Sequence, residues 1–199
     1  YNFNSNLKKI FKSKKIWCAA STHNTEERIC ATVHEKLKNK YKNLLTIIIP
    51  RHTQRADEIT NEIRDMGLKV QAHSSSSKTN NNTEIYLVDT FGETKSFFKI
   101  CKTVFLGGSI INHGGQNPLE PVRFGCRILH GPNIQNFTEV YNLLEKNNLS
   151  HKFYNSNQLA KLVDKSFGKN MNTSNKIRKI KKTGSNILNN TLIEINHYL

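Results

Sequence analysis

Acidic residues are the scarcest charged class in this chain: fifteen Asp and Glu stand against thirty Lys and Arg, a formal charge of +15 and a pI of about 9.8. Such a balance attracts phosphate-bearing partners, whether nucleic acid, anionic lipid or nucleotide. Most of the cations are Lys and the chain is thick with Asn, a pairing that an AT-rich genome also writes into tolerant surface positions. No run of eighteen apolar residues occurs, and the longest stretches, such as 44–49, are strand-sized, so no helical membrane span is expected. No initiator Met and no basic-then-apolar leader precede Tyr1, so no signal peptide is visible and a fragment is the expectation. Four cysteines, Cys18, Cys30, Cys101 and Cys126, form no CxxC pair. That argues against zinc and for buried, reduced thiols in a cytosolic protein. At 36% hydrophobic residues the chain is low for a globular protein yet apolar enough for a core. Its 199 residues fit one large domain or two small ones.

Short Val- and Ile-rich runs alternate with helix-length amphipathic stretches. Strands are expected over 16–20, 44–49, 68–71, 85–88, 103–106, 127–130 and 152–154. Helices are expected over 25–39, 53–66, 92–101, from Asn117, over 136–147 and near 156–167, with a loop over 74–83. The continuous apolar run 44–49 reads as a parallel strand covered on both faces. This alternation specifies an α/β, doubly wound parallel sheet of Rossmann-like type. No internal repeat and no dividing linker is present. Residues 171–199 read as a basic amphipathic helical tail, broken near Gly184.

Ligands of such sheets sit outside the carboxyl ends of the strands. After the first strand come Ser21, Thr22 and His23; after the second, Pro50, Arg51 and His52. Asp89, Thr90, Phe91, Gly92 and Glu93 follow the strand at 85–88. Gly107, Gly108 and Ser109 follow the next, then Gly114, Gly115, Gln116, Asn117, Pro118, Leu119, Glu120 and Pro121. Gly131, Pro132 and Asn133 follow the strand at 127–130, with Asn136 just beyond. The glycines let backbone approach a ligand closely. Helices opening at Gly92 and Asn117 would turn free N–H groups toward a phosphate. Arg51 could add a charge-assisted contact, and Glu120 suits ribose hydroxyls. The bland readings are equally concrete: Asn117 to Glu120, Thr90 to Glu93 and Asn24 to Glu27 each fit a capping box, and Arg51, His23 and His52 taken singly are ordinary loop residues. The shared rim is what favours a site. Gly107-Gly108-Ser109 lacks the spacing of a GxGxxG or P-loop motif, so neither NAD nor ATP is supported.

These motifs, in this order and spacing over about 16–165, resemble the Kdo (3-deoxy-D-manno-octulosonic acid) transferases. That resemblance implies the C-terminal, donor-binding half of a GT-B glycosyltransferase, a fold of two Rossmann-like domains facing across a cleft. It implies CMP-Kdo as donor, held through Pro50, Arg51, Phe91, Gly92, Glu93, Asn117, Pro118, Leu119 and Glu120. Ser21, His23, His52, Gly107, Gly108, Ser109, Gly114, Gly115, Gln116 and Asn136 would complete the rim. The family usually has Pro-Gly where Asn24-Thr25 stands here, and often Met in place of Phe91. It implies a lipid A precursor as acceptor, and an N-terminal half carrying the catalytic Glu, the acceptor site and the membrane anchor. No catalytic residue is therefore expected in this chain.

The resemblance further implies an inverting, metal-independent enzyme in lipopolysaccharide core synthesis, on the cytoplasmic face of a Gram-negative inner membrane. The lack of an Asp-x-Asp cluster fits that expectation. Residues 1–14 would be a remnant of the interdomain segment, 15–170 the donor domain and 171–199 the basic tail. The tail's Lys176, Arg178, Lys179, Lys181 and Lys182 suit an anionic membrane surface, or mere solvation. Two rivals stand beside this reading: another GT-B enzyme using a UDP-sugar, and a basic nucleic-acid-binding module. The second would need cations clustered with aromatics on one face, whereas here they are scattered, so no nucleic-acid partner is expected.

Overall fold

The computed structural model describes residues 3–78 and 81–168; the basic tail expected from 171 onward lies outside them. Seven strands form one sheet: β1 (Lys15–Thr22), β2 (Leu44–Pro50), β3 (Val70–Ala72), β4 (Ile85–Leu87), β5 (Thr103–Leu106), β6 (Arg127–His130) and β7 (Ser150–Lys152). All pairings are parallel, in the order β3-β4-β2-β1-β5-β6-β7. Among the described residues the α-helices are α1 (Ser5–Ser13), α2 (Glu26–Lys38), α3 (Ala56–Asp65), α4 (Thr94–Ile100), α5 (Leu119–Arg123), α6 (Thr138–Lys146) and α7 (Ser156–Phe167). The doubly wound α/β architecture expected from the sequence is the one observed.

Register sorts the side chains into two layers. Ala19, Ile48, Leu87, Phe105 and Leu129 align across five strands and face Cys30, Val33, Ile59, Ile63, Leu159 and Val163 of α2, α3 and α7. Cys18, Ile47, Tyr86, Val104 and Ile128 point the other way, where the Phe11 ring meets those of Tyr86 and Phe97 edge-on. All seven residues of β2 are buried, because a central parallel strand has no solvated face. Trp17 donates Nε1–H to Thr46 Oγ1 at 2.8 Å, and His34 Nδ1 meets the same hydroxyl at 2.9 Å. All four cysteines are buried free thiols.

The N-terminal segment is more than a connector. Asn4 caps α1 by accepting from Leu7 N at 2.8 Å, and the helix buries Leu7, Ile10 and Phe11 against the sheet. Other boundaries moved for local reasons. Gly67, at φ +78°, closes α3 in a Schellman motif, with Leu68 N donating to Ile63 O, so β3 starts at Val70 and not at Leu68. The last strand sits two residues earlier than expected, paired to β6 over Ser150–Lys152.

β1 is the turning point of the chain. From β1 it passes to β2, out to β3 at the edge and back to β4 between them, then crosses to β5 on the other side of β1. The loops leaving β1 and β5 start side by side at this switch point, the end of the sheet at which open parallel sheets take their ligands.

Candidate functional site

The switch point starts with a bulge. Register slips between Ala20 and Thr22, and Ser21 takes the left-handed conformation at φ +55°. That re-aims Thr22 and His23 toward the neighbouring loop. A Cβ on Gly107 would lie 2.3 Å from Ser21 O and 2.6 Å from Glu26 Oε2, so only glycine lets β5 end this close to β1.

Glu26, at the start of α2, is fully buried there. Its carboxylate accepts from His23 N at 3.0 Å, Gly108 N at 2.8 Å and Ile110 N at 3.0 Å. Burial pushes its pKa up, and these amide bonds oppose that. An internal carboxylate thus occupies the place where the amides of a glycine-rich turn would otherwise hold a phosphate. Glu27, also buried, pairs with Arg55 Nη1 at 3.0 Å, and Arg55 continues to Glu58 at 3.0 Å. Arg55 is a strut between α2 and α3, whereas Arg51 is exposed and forms no ion pair with the described residues. Arg51 N is tied to Thr22 O at 2.9 Å, which holds the Pro50-Arg51-His52 turn beside the first loop.

Three imidazoles gather at this point. The His23 ring lies 4.4 Å from that of His113 and 5.9 Å from that of His52. Desolvation, then the neighbouring His113, His52, Arg51 and Arg55, lower the pKa of His23 to about 4, so the ring is neutral near pH 7. The loop carrying His113 is held firmly. Gly115 N donates to Gly108 O, Asn136 N donates to Gly114 O, and Asn136 Nδ2 donates to His113 O. Ser109 Oγ donates to Leu106 O and accepts from Gly131 N, and Tyr141 donates its hydroxyl to Gln116 O.

The remaining expected residues form a second group on the same rim. Glu93 is taken up internally: its carboxylate pairs with His73 Nε2 at 2.8 Å and accepts from the Thr90 hydroxyl. His73 also meets the Tyr86 hydroxyl at 2.7 Å, which anchors the turn to the core. Phe91, at the tip of this turn, is 72% exposed. Both adjoining helices begin two residues later than expected, at Thr94 and Leu119. The expected capping boxes do not form as such. Asn117 Oδ1 accepts from Leu119 N at 3.0 Å, while Glu120 turns outward to Lys95 Nζ at 3.5 Å. That pair sets the first turn of α4 beside the first turn of α5.

The sequence reading missed His113, and it missed the inward role of Glu26. Their only signal was position, beside a glycine pair and at the first turn after the first strand. Among the described residues no group of three or more His, Cys, Asp or Glu side chains is placed to hold a metal ion.

Comparison with known proteins adds an independent line. No family model matches the chain. The 3-deoxy-D-manno-octulosonic acid transferase of Haemophilus influenzae is 36% identical over 139 residues, covering 69% of this chain and 33% of that protein. The enzyme of the same name from Aquifex aeolicus is 31% identical over 165 residues, covering 82% of this chain and 45% of that protein. The chain thus spans between a third and a half of the length of these two relatives. Among solved structures, the C-terminal CMP-Kdo binding domain of WaaA from Acinetobacter baumannii superposes with a TM-score of 0.80 over 89% of this chain and 92% of that one, at 23% identity. The trehalose-6-phosphate synthase OtsA shares the sheet more distantly, with a TM-score of 0.55 at 13% identity, over 87% of this chain and 40% of that one. Sequence identity, fold and the order of motifs around the rim agree: the chain belongs to the 3-deoxy-D-manno-octulosonic acid transferase family of GT-B glycosyltransferases and corresponds to the family's C-terminal domain.

Proposed function

We propose that this chain binds CMP-Kdo and forms the donor half of an enzyme that transfers Kdo to a lipid A precursor. The observation that carries the reading is the switch point between β1 and β5, with the loops after both strands on one rim, in a chain whose fold matches a domain described as CMP-Kdo binding. The exposed, unpaired Arg51 is suited to the donor phosphate, and the exposed ring of Phe91 offers a face to the base. Glu120, joined only to Lys95 among the described residues, keeps carboxylate oxygen free for ribose hydroxyls.

In the whole enzyme, a glutamate of the N-terminal half would deprotonate the acceptor hydroxyl, which attacks the anomeric carbon with inversion. Arg51 would stabilise the departing CMP without a metal. On this reading the 199-residue chain binds nucleotide and turns nothing over. The whole enzyme works at the cytoplasmic face of the inner membrane in lipopolysaccharide core synthesis. The basic residues between Lys176 and Lys182 contribute affinity for the anionic leaflet, each worth about 1 kcal/mol if they share one face.

Thermal shift with CMP and UDP tests the donor. CMP should raise the melting temperature and UDP should not. A response to UDP alone would favour a UDP-sugar enzyme, and a salt-sensitive response to RNA without one to CMP would favour a nucleic-acid module. Co-sedimentation with anionic but not neutral vesicles, weakened by salt, is expected for the membrane contact.

A further inference from the structure

A cavity of about 290 Å³ lies at the end of the sheet where the strands begin, bounded by the residues that lead into β1, β2, β3 and β4 and by the end of α2. That volume is at the lower limit of ligand-sized cavities. The length of β2, Leu44–Pro50, sets it roughly 20 Å from the Pro50-Arg51-His52 turn, at ~3.3 Å per residue. Four lysines line it: Lys14, Lys38, Lys42 and Lys69. Its wall includes buried Thr83 and His34. The His34 ring meets the Thr46 hydroxyl through Nδ1 at 2.9 Å, while its Nε2 lies 3.9 Å from Glu84 Oε1, beyond hydrogen-bond reach. A ring nitrogen on the cavity wall is thus left for a further partner.

Charge narrows the ligand. Glu84 is the one carboxylate among the described lining residues, and both its oxygens are engaged: Oε1 with Lys38 Nζ at 3.3 Å, Oε2 with the backbone N of Lys69 at 2.9 Å. Four ammonium groups against one carboxylate leave an excess of three positive charges. Desolvation lowers the pKa of His34 to about 4, so its ring is neutral near pH 7 and adds none. Lys14 Nζ donates to the carbonyls of Asn81 and Thr83, which fixes one cation at the edge of the cavity. Exposed Lys42 and Lys69 form no side-chain ion pair with the described residues. A cleft of one sign over a buried wall concentrates its field on a small ion. We propose that this cavity is a second ligand site, for a dianionic phosphate monoester, with Lys42 and Lys69 on the phosphate oxygens and Lys14 and Lys38 adding to the field. A monoester carries close to two charges above its second pKa of about 6, and so answers the excess better than a singly charged diester. The site does not depend on the donor reading. Its monoester is either a soluble small molecule or the head group of a lipid.

Lysine Cε NMR of the whole chain, titrated with glycerol phosphate at about pH 7.5, reads the site without any nucleotide. The Lys42 and Lys69 signals should shift saturably, while those of Lys8 on α1 and Lys146 on α6 stay in place. The same shifts with sodium chloride at matched ionic strength, or an equal affinity for dimethyl phosphate, a singly charged diester, overturn the proposal, because a solvated lysine face gives both. The double variant Lys42→Gln with Lys69→Gln removes two exposed side chains and should weaken glycerol phosphate at least tenfold at an unchanged melting temperature. Undiminished binding in that variant also overturns it. Flotation with vesicles then identifies the source, comparing phosphatidic acid, a monoester head group, with phosphatidylglycerol, a diester. A preference for phosphatidic acid that the double variant loses assigns the site to a lipid. Equal binding to both vesicles, with glycerol phosphate still bound, assigns it to a soluble monoester. A chain that binds glycerol phosphate here and shows no CMP response on the opposite rim would sink the donor reading and leave this site standing.

Discussion

Two glutamates of the site do opposite work, and substitutions separate them. Glu26 faces inward, and Glu26→Ala would strand the amides of Gly108 and Ile110 at a cost of about 1–3 kcal/mol each. Glu26→Gln does little better, because its amide must point an N–H toward amide donors. Both variants should melt well below the parent by calorimetry, and a parent-like melting temperature would contradict the clamp. Glu120 faces outward and is half exposed, so neither Glu120→Ala nor Glu120→Gln should move the melting temperature far. Both should weaken CMP, Ala more than Gln, since Gln keeps one acceptor for a ribose hydroxyl and loses only the charge. Unchanged CMP affinity in both would assign Glu120 to its contact with Lys95 alone.

At the scale of elements, close approach and packing decide. Gly107→Ala must push β1 and β5 apart, because the new Cβ would lie 2.3 Å from backbone oxygen, whereas Gly67→Ala meets open space and pays only for its φ of +78°. Urea denaturation should show a loss of about 1–2 kcal/mol for Gly67→Ala and a larger one for Gly107→Ala. Phe11→Ala tests whether α1 belongs to the domain, and a loss of about 3–5 kcal/mol is expected if its ring packing counts. Much of this architecture was readable in advance. Strands β2, β5 and β6 announce themselves as apolar runs, and the turns after β1, β2, β4 and β5 carry nearly all the candidate site residues. What stayed hidden depends on contacts distant in sequence. Nothing near Ser5–Ser13 says which sheet would bury Phe11. Glu26 looks like an ordinary first-turn acid until Gly108, 82 residues away, is brought to it. The helix starts at Thr94 and Leu119 shifted because Glu93 was drawn to His73 and Asn117 formed a local turn.

For the whole molecule, buried histidines set the acid limit. Burial lowers the pKa of His34 from 6.5 to about 4, with nearby Glu84 opposing the shift. The unfolded chain therefore takes up that proton first, and stability falls as pH drops from about 6.5 toward 4. For fully buried His34 the loss approaches about 3 kcal/mol by the time its folded pKa is reached. His23, His130 and His151 shift in the same direction, while the raised pKa values of Glu26 and Glu27 act with the opposite sign. Urea melts across this window should lose stability toward acid in the parent and less steeply in His34→Gln. An equal slope in both would remove His34 as a cause.

The central claim is that one rim of the sheet holds the CMP end of the donor. Amide NMR of the chain titrated with CMP tests it most directly. Saturable shifts should fall on Ser21 to His23, Arg51 and His52, Phe91 to Glu93, and the segment from Gly108 to Glu120. No shifts at millimolar CMP, or shifts confined to the opposite end of the sheet around Lys14, Lys38 and Lys69, would contradict the account.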